Sequence, residues 1–223
     1  MWHAYPDQPS CIDALAHQVA SHMTTHLSQH DGVTLAVSGG RSPIPLFERL
    51  AQLPLPWKRV RLRLVDERYV PPDHPDSNEG LVRRHLLQGP AAAADFRGLY
   101  LEGAGVQEAV AAANRASQPP DLAILGMGED GHMASLFPNA PQLDAALLPQ
   151  AACYLHITPP HAPHERISLS LAALRACSQL ALYITGEEKR SIWQKACRAA
   201  DRNLPISFLA TDTGVPLDVH WHP

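Results

Sequence analysis

The residues best suited to chemistry lie in one short stretch, Gly126-Met127-Gly128-Glu129-Asp130-Gly131-His132-Met133-Ala134-Ser135-Leu136-Phe137-Pro138. A histidine two residues after an aspartate suits general acid–base work: the imidazole moves the proton and the carboxylate orients the ring. An apolar run at 121–125 precedes it and reads as a buried parallel strand. Glycines then open a turn, and a short helix is expected to begin near His132. The positive potential at that helix end would favour the neutral imidazole a base requires at neutral pH. The same residues also fit a tight turn whose histidine only packs or caps.

Three further clusters share this strand-end placement. Ser38, Gly39, Gly40, Arg41 and Ser42 follow a strand at 33–37. The glycines allow close approach of backbone to a ligand, and the N–H groups of the helix that follows can receive an anion. Ser42 suits that helix's N-cap and Pro43 its first position. This is neither a Walker loop nor GxGxxG, so nucleotide is not implied, and an ordinary βα turn is the other reading. Asp66, Glu67 and Arg68 end a strand at 59–65, ahead of a proline-bearing loop at 71–78 whose Ser77 or Asn78 can cap the next helix. Charges at a strand mouth form either a site or a solvated loop, and sites sit on such loops. Lys189 falls in the first turn of a helix opened by Thr185 and Gly186, where a cation opposes the helix dipole at a cost of roughly 0.3–1 kcal/mol. Glu187 and Glu188 offset that locally, or a bound phosphate does.

The positioning elements alternate. A helix is expected at 11–30, capped by Ser10. Its His22, His26 and His30 are spaced four apart, but no carboxylate or thiol joins them, so His26 reads as a packed or edge histidine. Strands are expected at 153–157, 166–171 (opened by Arg166, alternating, with an antiparallel pairing open to it), 180–184 and 206–209. A surface helix is expected at 107–116. Residues 89–98, 139–152 and 159–165 read as connections, with His161 and His164 solvated and His220 and His222 frayed near the C-terminus. The fold class is therefore α/β: a Rossmann-like three-layer sandwich with a mostly parallel sheet flanked by helices and a small antiparallel addition, in one domain over 1–223. Carboxyl ends of parallel strands gather their loops into one cleft. That cleft would hold Arg68, Arg166, Lys189 and the 38–42 loop for an anion, beside His132 and its carboxylates. A phosphorylated small molecule fits. No GxSxG elbow and no activated cysteine are present, so base-activated water is the expected nucleophile.

Composition narrows the class. The 223 residues carry a net charge of -4, with 45% hydrophobic and 18% charged residues. A general nucleic-acid binder would need a basic face, so nucleic acid is not an expected partner. No run reaches the length of a membrane span, and the N-terminal residues lack a basic-then-apolar leader pattern. The four cysteines are scattered without CxxC spacing. Neither a disulfide framework nor a zinc site is implied, and a cytoplasmic location is expected.

The GMGEDGHMASLFP stretch resembles the signature of the 6-phosphogluconolactonase family. SGGRSPIPLF, VDERYVPPDHPDSN, RISLSLAAL and ITGEEK extend the resemblance in the family's order from about residue 33 to 200. Glucosamine-6-phosphate deaminases share the fold and the GxDGH turn but continue into Phe-Asn-Glu-Pro. Here the continuation is Ala134-Ser135-Leu136-Phe137-Pro138, the lactonase form. The resemblance implies hydrolysis of 6-phospho-D-glucono-1,5-lactone to 6-phosphogluconate, the second step of the oxidative pentose phosphate pathway. It implies His132 as the base that takes a proton from water and returns it to the departing ring oxygen, with Asp130 orienting the ring. Ser38, Gly39, Gly40, Arg41, Ser42, Arg166 and Lys189 match phosphate-holding positions. Asp66 and Arg68 belong to the family's DER segment, whose arginine binds substrate or steadies the oxyanion. No metal or organic cofactor and no membrane partner is implied, and the chain is expected as a monomer or weak homodimer. Met133 departs from the threonine usual after the histidine. Two other readings remain: a deaminase or isomerase of an amino sugar phosphate, which would release ammonia, and a non-catalytic sugar-phosphate-binding protein, which would bind without turnover.

Overall fold

Two short apolar runs, Val33–Val37 and Leu122–Leu125, become adjacent central strands of a parallel sheet, as continuous apolar strands buried on both faces should. In chain order the strands are β1 (Trp2–Ala4), β2 (Val33–Val37), β3 (Val60–Leu64), β4 (Asp66–Arg68), β5 (Asp95–Phe96), β6 (Leu122–Leu125), β7 (Tyr154–Ile157), β8 (Arg166–Leu169), β9 (Gln179–Thr185) and β10 (Leu217–His222). The helices are α1 (Gln8–Leu27), α2 (Ile44–Ala51), α3 (Asn78–His85), α4 (Val106–Ala116), α5 (Leu143–Leu147), α6 (Leu171–Arg175), α7 (Gly186–Ala196) and α8 (Ser207–Ala210). The computed structural model describes residues 1–223.

The main sheet has seven strands in the order β1-β10-β9-β6-β2-β3-β5, and every pairing in it is parallel. The chain leaves β2 toward β3, then returns to the other side of β2 as β6. That reversal is the topological switch point at which open α/β sheets hold ligands. A second sheet, β4-β8-β7, is antiparallel and sets Asp66 opposite Ser168 and Arg68 opposite Arg166. Successive strand residues point to opposite faces. On β10, Asp218 receives a hydrogen bond from Gln18 of α1, whereas Trp221 donates to the Gly186 carbonyl at the start of α7. Helices α1 and α7 therefore cover opposite faces, completing a Rossmann-like three-layer sandwich around a contiguous apolar core. No helix is long and apolar enough to cross a membrane.

Several local expectations are corrected. Asp7, not Ser10, caps α1: its carboxylate accepts the Ser10 N–H at 2.9 Å, and the helix ends at Leu27. Pro43 occupies the N-cap position of α2 and no side chain caps it, so Ser42 lies outside the helix and inside the loop. The 89–98 connection contains β5, an edge strand on β3 whose Asp95 pairs with Arg63 at 2.9 Å. Residues 139–152 contain α5, and 207–210 is helical rather than extended, because a short apolar run carries no decisive period. His220 and His222 are buried in β10, held between β9 and, for His220, β1. Neither is frayed. His164 is not simply solvated: its Nε2 lies 3.0 Å from Asp76 Oδ2. His26 sits at the edge of α1, its ring tilted against His30 at 4.3 Å and 3.6 Å from Asp121.

Candidate active site

The site lies at the carboxyl ends of β2 and β6. The Ser38 N–H continues the ladder by donating to the Ile124 carbonyl at 3.0 Å. The chain then turns through Gly39 and Gly40. Gly40 has φ +97°, a region that L side chains rarely adopt. Gly39 is needed for another reason: a Cβ there would fall 1.8 Å from Asn78 Oδ1. Asn78 in turn donates from Nδ2 to the Asp66 carbonyl at 2.8 Å. The glycine loop, the start of α3 and β4 are thereby interlocked.

Glu67 anchors this junction. It is fully buried, and its carboxylate accepts the N–H groups of Arg68, Asn78 and Glu79 at 2.7–2.8 Å and the Ser77 hydroxyl at 3.2 Å. Burial pushes the Glu67 carboxyl up to about 7, with the backbone donors acting in the opposite sense and Asp66 adding to the rise. Ser77 caps α3, accepting the Gly80 N–H. The neighbour of Glu67, Asp66, accepts the Ser135 hydroxyl at 2.6 Å, and the Ser135 N–H donates to the Ser168 hydroxyl on β8.

After β6 the chain forms a tight turn rather than a helix. The Gly128 N–H donates to the His132 carbonyl at 2.9 Å, Gly131 takes φ +74°, and Met133 bridges to Leu136. The next helix, α5, begins only at Leu143. The helix expected to begin near His132 is therefore absent. What orients its ring is Asp130, whose Oδ1 lies 2.5 Å from His132 Nδ1 and also accepts the His132 N–H at 3.1 Å. An ionised carboxylate only accepts, so Nδ1 carries the proton and Nε2 the lone pair. Partial burial pushes the Asp130 carboxyl up, but the hydrogen bonds and charge of His132 outweigh this and hold it below its ordinary value. Phe137 backs the ring at 4.4 Å. A Cβ at Gly128 would lie 2.2 Å from the ring and 2.6 Å from Asp130 Oδ1, so glycine there makes room for the pair.

A cavity of about 220 Å³ joins these parts. Ser38, Gly39, Gly40 and Ser42 line one end, with Asp66, Arg68 and Asn78 beside them; His132 and Lys189 also line it. It continues into an outer groove that shares His132 and Lys189 and is bounded by Asp130, Phe137 and the Pro160–Ala162 segment. The Ser38 hydroxyl is buried and has no protein partner. Lys189 makes no ion pair; Glu187, which could have offset it, pairs with Arg190 at 3.3 Å. Two expected anion-holding residues stand apart. Arg41 is exposed and does not line the cavity. Arg166 does not line it either: it is buried behind Arg68, its register partner, with Nε and Nη1 unbonded. Burial, then the Arg68 charge, pulls the Arg166 guanidinium down, against Asp66, Glu67 and Asp76. Asn78, Tyr183 and Thr185 line the cavity without having been singled out for it. Asn78 was legible only as a cap, Tyr183 sits in what reads as an ordinary apolar strand, and Thr185 reads only as the opening of a helix.

Fold and site together define a class: an open-sheet α/β protein with a carboxylate-paired histidine and a glycine loop lining one cavity at the switch point of its parallel strands. The model of the family "Glucosamine-6-phosphate isomerases/6-phosphogluconolactonase" matches residues 6–221. The chain belongs to this family. It is 44% identical over 217 residues to the 6-phosphogluconolactonase of Pseudomonas aeruginosa, covering 94% of this chain and 89% of the relative. It is 40% identical over 227 residues to that of Neisseria meningitidis, covering 99% and 98%. The solved 6-phosphogluconolactonase structure from Shewanella baltica superposes with a TM-score of 0.94 at 35% identity, over 100% of this chain and 97% of the other. A monomeric glucosamine-6-phosphate deaminase superposes with a TM-score of 0.81 at 13% identity, a likeness of fold alone.

Proposed function

We propose that this protein hydrolyses 6-phospho-D-glucono-1,5-lactone to 6-phosphogluconate, with His132 as general base. The observation that carries the proposal is that His132, the 38–42 loop and Lys189 wall the same cavity. The phosphate is received by backbone N–H groups and the free Ser38 hydroxyl of the loop, with Lys189 supplying charge. Arg68 and the buried Arg166 behind it add positive potential on the same side. His132 Nε2 takes a proton from water as the water oxygen bonds to the lactone carbonyl carbon. Negative charge moves to the carbonyl oxygen, and the imidazolium that forms is steadied by Asp130. The tetrahedral species then collapses. The bond from the carbonyl carbon to the ring oxygen breaks, and the proton on Nε2 passes to that oxygen.

The relatives named above support this reading over an amino sugar deaminase, for which the shared family model and the fold speak. The test is lactone hydrolysis measured above the spontaneous rate, because this lactone also opens unaided. His132→Ala should lose most of the acceleration while still binding 6-phosphogluconate. Near-full activity in that variant would refute the base assignment, and ammonia release from glucosamine 6-phosphate would favour the deaminase.

A further inference from the structure

Outside this cavity, one group of ligating side chains converges from two loops far apart in sequence. His74 and Asp76 lie between β4 and α3, and His164 lies just before β8. One ligand atom from each of His74, Asp76 and His164 lies within 4.8 Å of the others. Asp76 Oδ2 is 3.0 Å from His164 Nε2 and 4.0 Å from His74 Nδ1. A tetrahedral ion with bonds of about 2.0–2.2 Å needs donor atoms roughly 3.3–3.5 Å apart. The observed separations bracket that spacing, so small side-chain rotations would close the set. We propose that His74, Asp76 and His164 form a three-ligand site for a borderline first-row divalent cation of the zinc class.

The local chain is built to hold these atoms together. His164 has φ +69°, a conformation that costs a non-glycine residue of order 1–3 kcal/mol, and it follows Pro163. The opposite loop is stiffened by Pro71, Pro72 and Pro75 and closed by hydrogen bonds from His74 N–H to Pro71 and from Ser77 N–H to His74. The Asp76 N–H donates to His74 Nδ1 at 3.1 Å, so that nitrogen is unprotonated, and a cation would take its lone pair only by displacing this hydrogen bond. The two imidazoles meet edge to face at 5.2 Å. Two imidazole nitrogens and one carboxylate oxygen select zinc, cobalt, nickel or copper over magnesium or calcium, and three protein ligands leave a position for water. The Asp76 carbonyl also accepts from Arg68 Nη1 at 2.7 Å, so an ion here would clamp the loop that holds a cavity residue.

The test is calorimetric titration of the chelator-treated full chain with Zn2+, repeated with Co2+ to read its visible absorption. One equivalent should bind, and His74→Gln and His164→Gln should each weaken binding about tenfold or more. Asp76→Asn, which preserves side-chain size, should do the same and serves if a histidine variant unfolds. His132→Ala and His26→Gln should leave the affinity unchanged. Absence of saturable binding, binding untouched by the His74 and His164 substitutions, or binding lost in His132→Ala would each overturn the site.

Discussion

Nδ1 of His132 lies 2.5 Å from Oδ1 of Asp130, and a Cβ on Gly128 would strike both. The pairing leaves Nε2 as the only ring nitrogen without a protein partner. The orientation of this ring thus comes from a carboxylate two residues away and a glycine four residues away, all within one turn.

Asp130→Asn tests whether tautomer, rather than mere packing, is what the carboxylate supplies. An amide can donate to Nδ1, which would move the proton to Nε2 and remove the basic lone pair from the cavity side. The rate above background should fall about hundredfold or more, while affinity for 6-phosphogluconate changes little. Equal losses in turnover and product binding would point to a collapsed site instead.

Lys189→Ala should move stability and affinity in opposite directions. The ammonium has no protein partner, and as a cation in the first turn of α7 it opposes the helix dipole. Its removal should raise the unfolding free energy by roughly 0.3–1 kcal/mol. Losing a charge-assisted contact to phosphate should weaken product binding by about tenfold or more. Calorimetry and urea unfolding on the same preparation read both. Unchanged product affinity would remove Lys189 from the phosphate site.

Glu67→Gln probes the junction behind the cavity. Oε1 accepts from the N–H groups of Arg68 and Asn78, and Oε2 from Glu79 N–H and the Ser77 hydroxyl. A glutamine must turn its NH₂ toward one of these pairs, setting donor against backbone donor. Destabilisation of about 1–3 kcal/mol is expected by urea unfolding near neutral pH. A variant as stable as the parent would show that the carboxyl is held protonated and its charge is dispensable.

Parts of this architecture were legible in the residues. The apolar run at 121–125 announces a buried parallel strand, and Val33–Val37 announces a strand. The Asp130–His132 spacing and the misplaced cation Lys189 carry physical signals that survive without neighbours. What stayed hidden depends on tertiary approach. Asn78 matters because it fills the space beside Gly39, and only the fold brings them together. Arg166 begins the expected strand, but its place behind Arg68 follows from the antiparallel register. Asp7 and Ser10 are both competent caps; the expectation fell on Ser10, and the cap is Asp7, which accepts the Ser10 N–H. His220 lies close to the chain end, yet β1 pairs with β10 and buries it.

That burial gives His220 a separate, testable consequence. Its ring stacks with those of His3 and Tyr5, its Nδ1 lies 3.2 Å from the Tyr5 hydroxyl, and its Nε2 is buried without a partner. Burial first, then the neighbouring His3 and the N-terminal amine, pulls the His220 imidazole down to about 4, with Asp218 opposing. The unfolded chain, with an ordinary value of 6.5, binds this proton more readily than the folded one between about 4 and 6.5. Stability from a neutral His220 is therefore fully present above pH 6.5 and is lost as pH falls toward 4, by roughly 3 kcal/mol at most. Glu67 works the other way: its raised value, about 7 against 4.5, makes stability fall as pH rises through that interval. The whole-protein pH profile mixes the two, so the decisive quantity is the difference between parent and His220→Phe. Phenylalanine keeps the stacked ring and sacrifices only the bond to Tyr5. Urea unfolding at several pH values from 4.5 to 7.5 should show the variant slightly less stable at the top of the range and gaining on the parent as the pH drops. A parent–variant difference that stays constant across the range would mean that His220 takes up its proton as easily in the folded protein as in the unfolded chain.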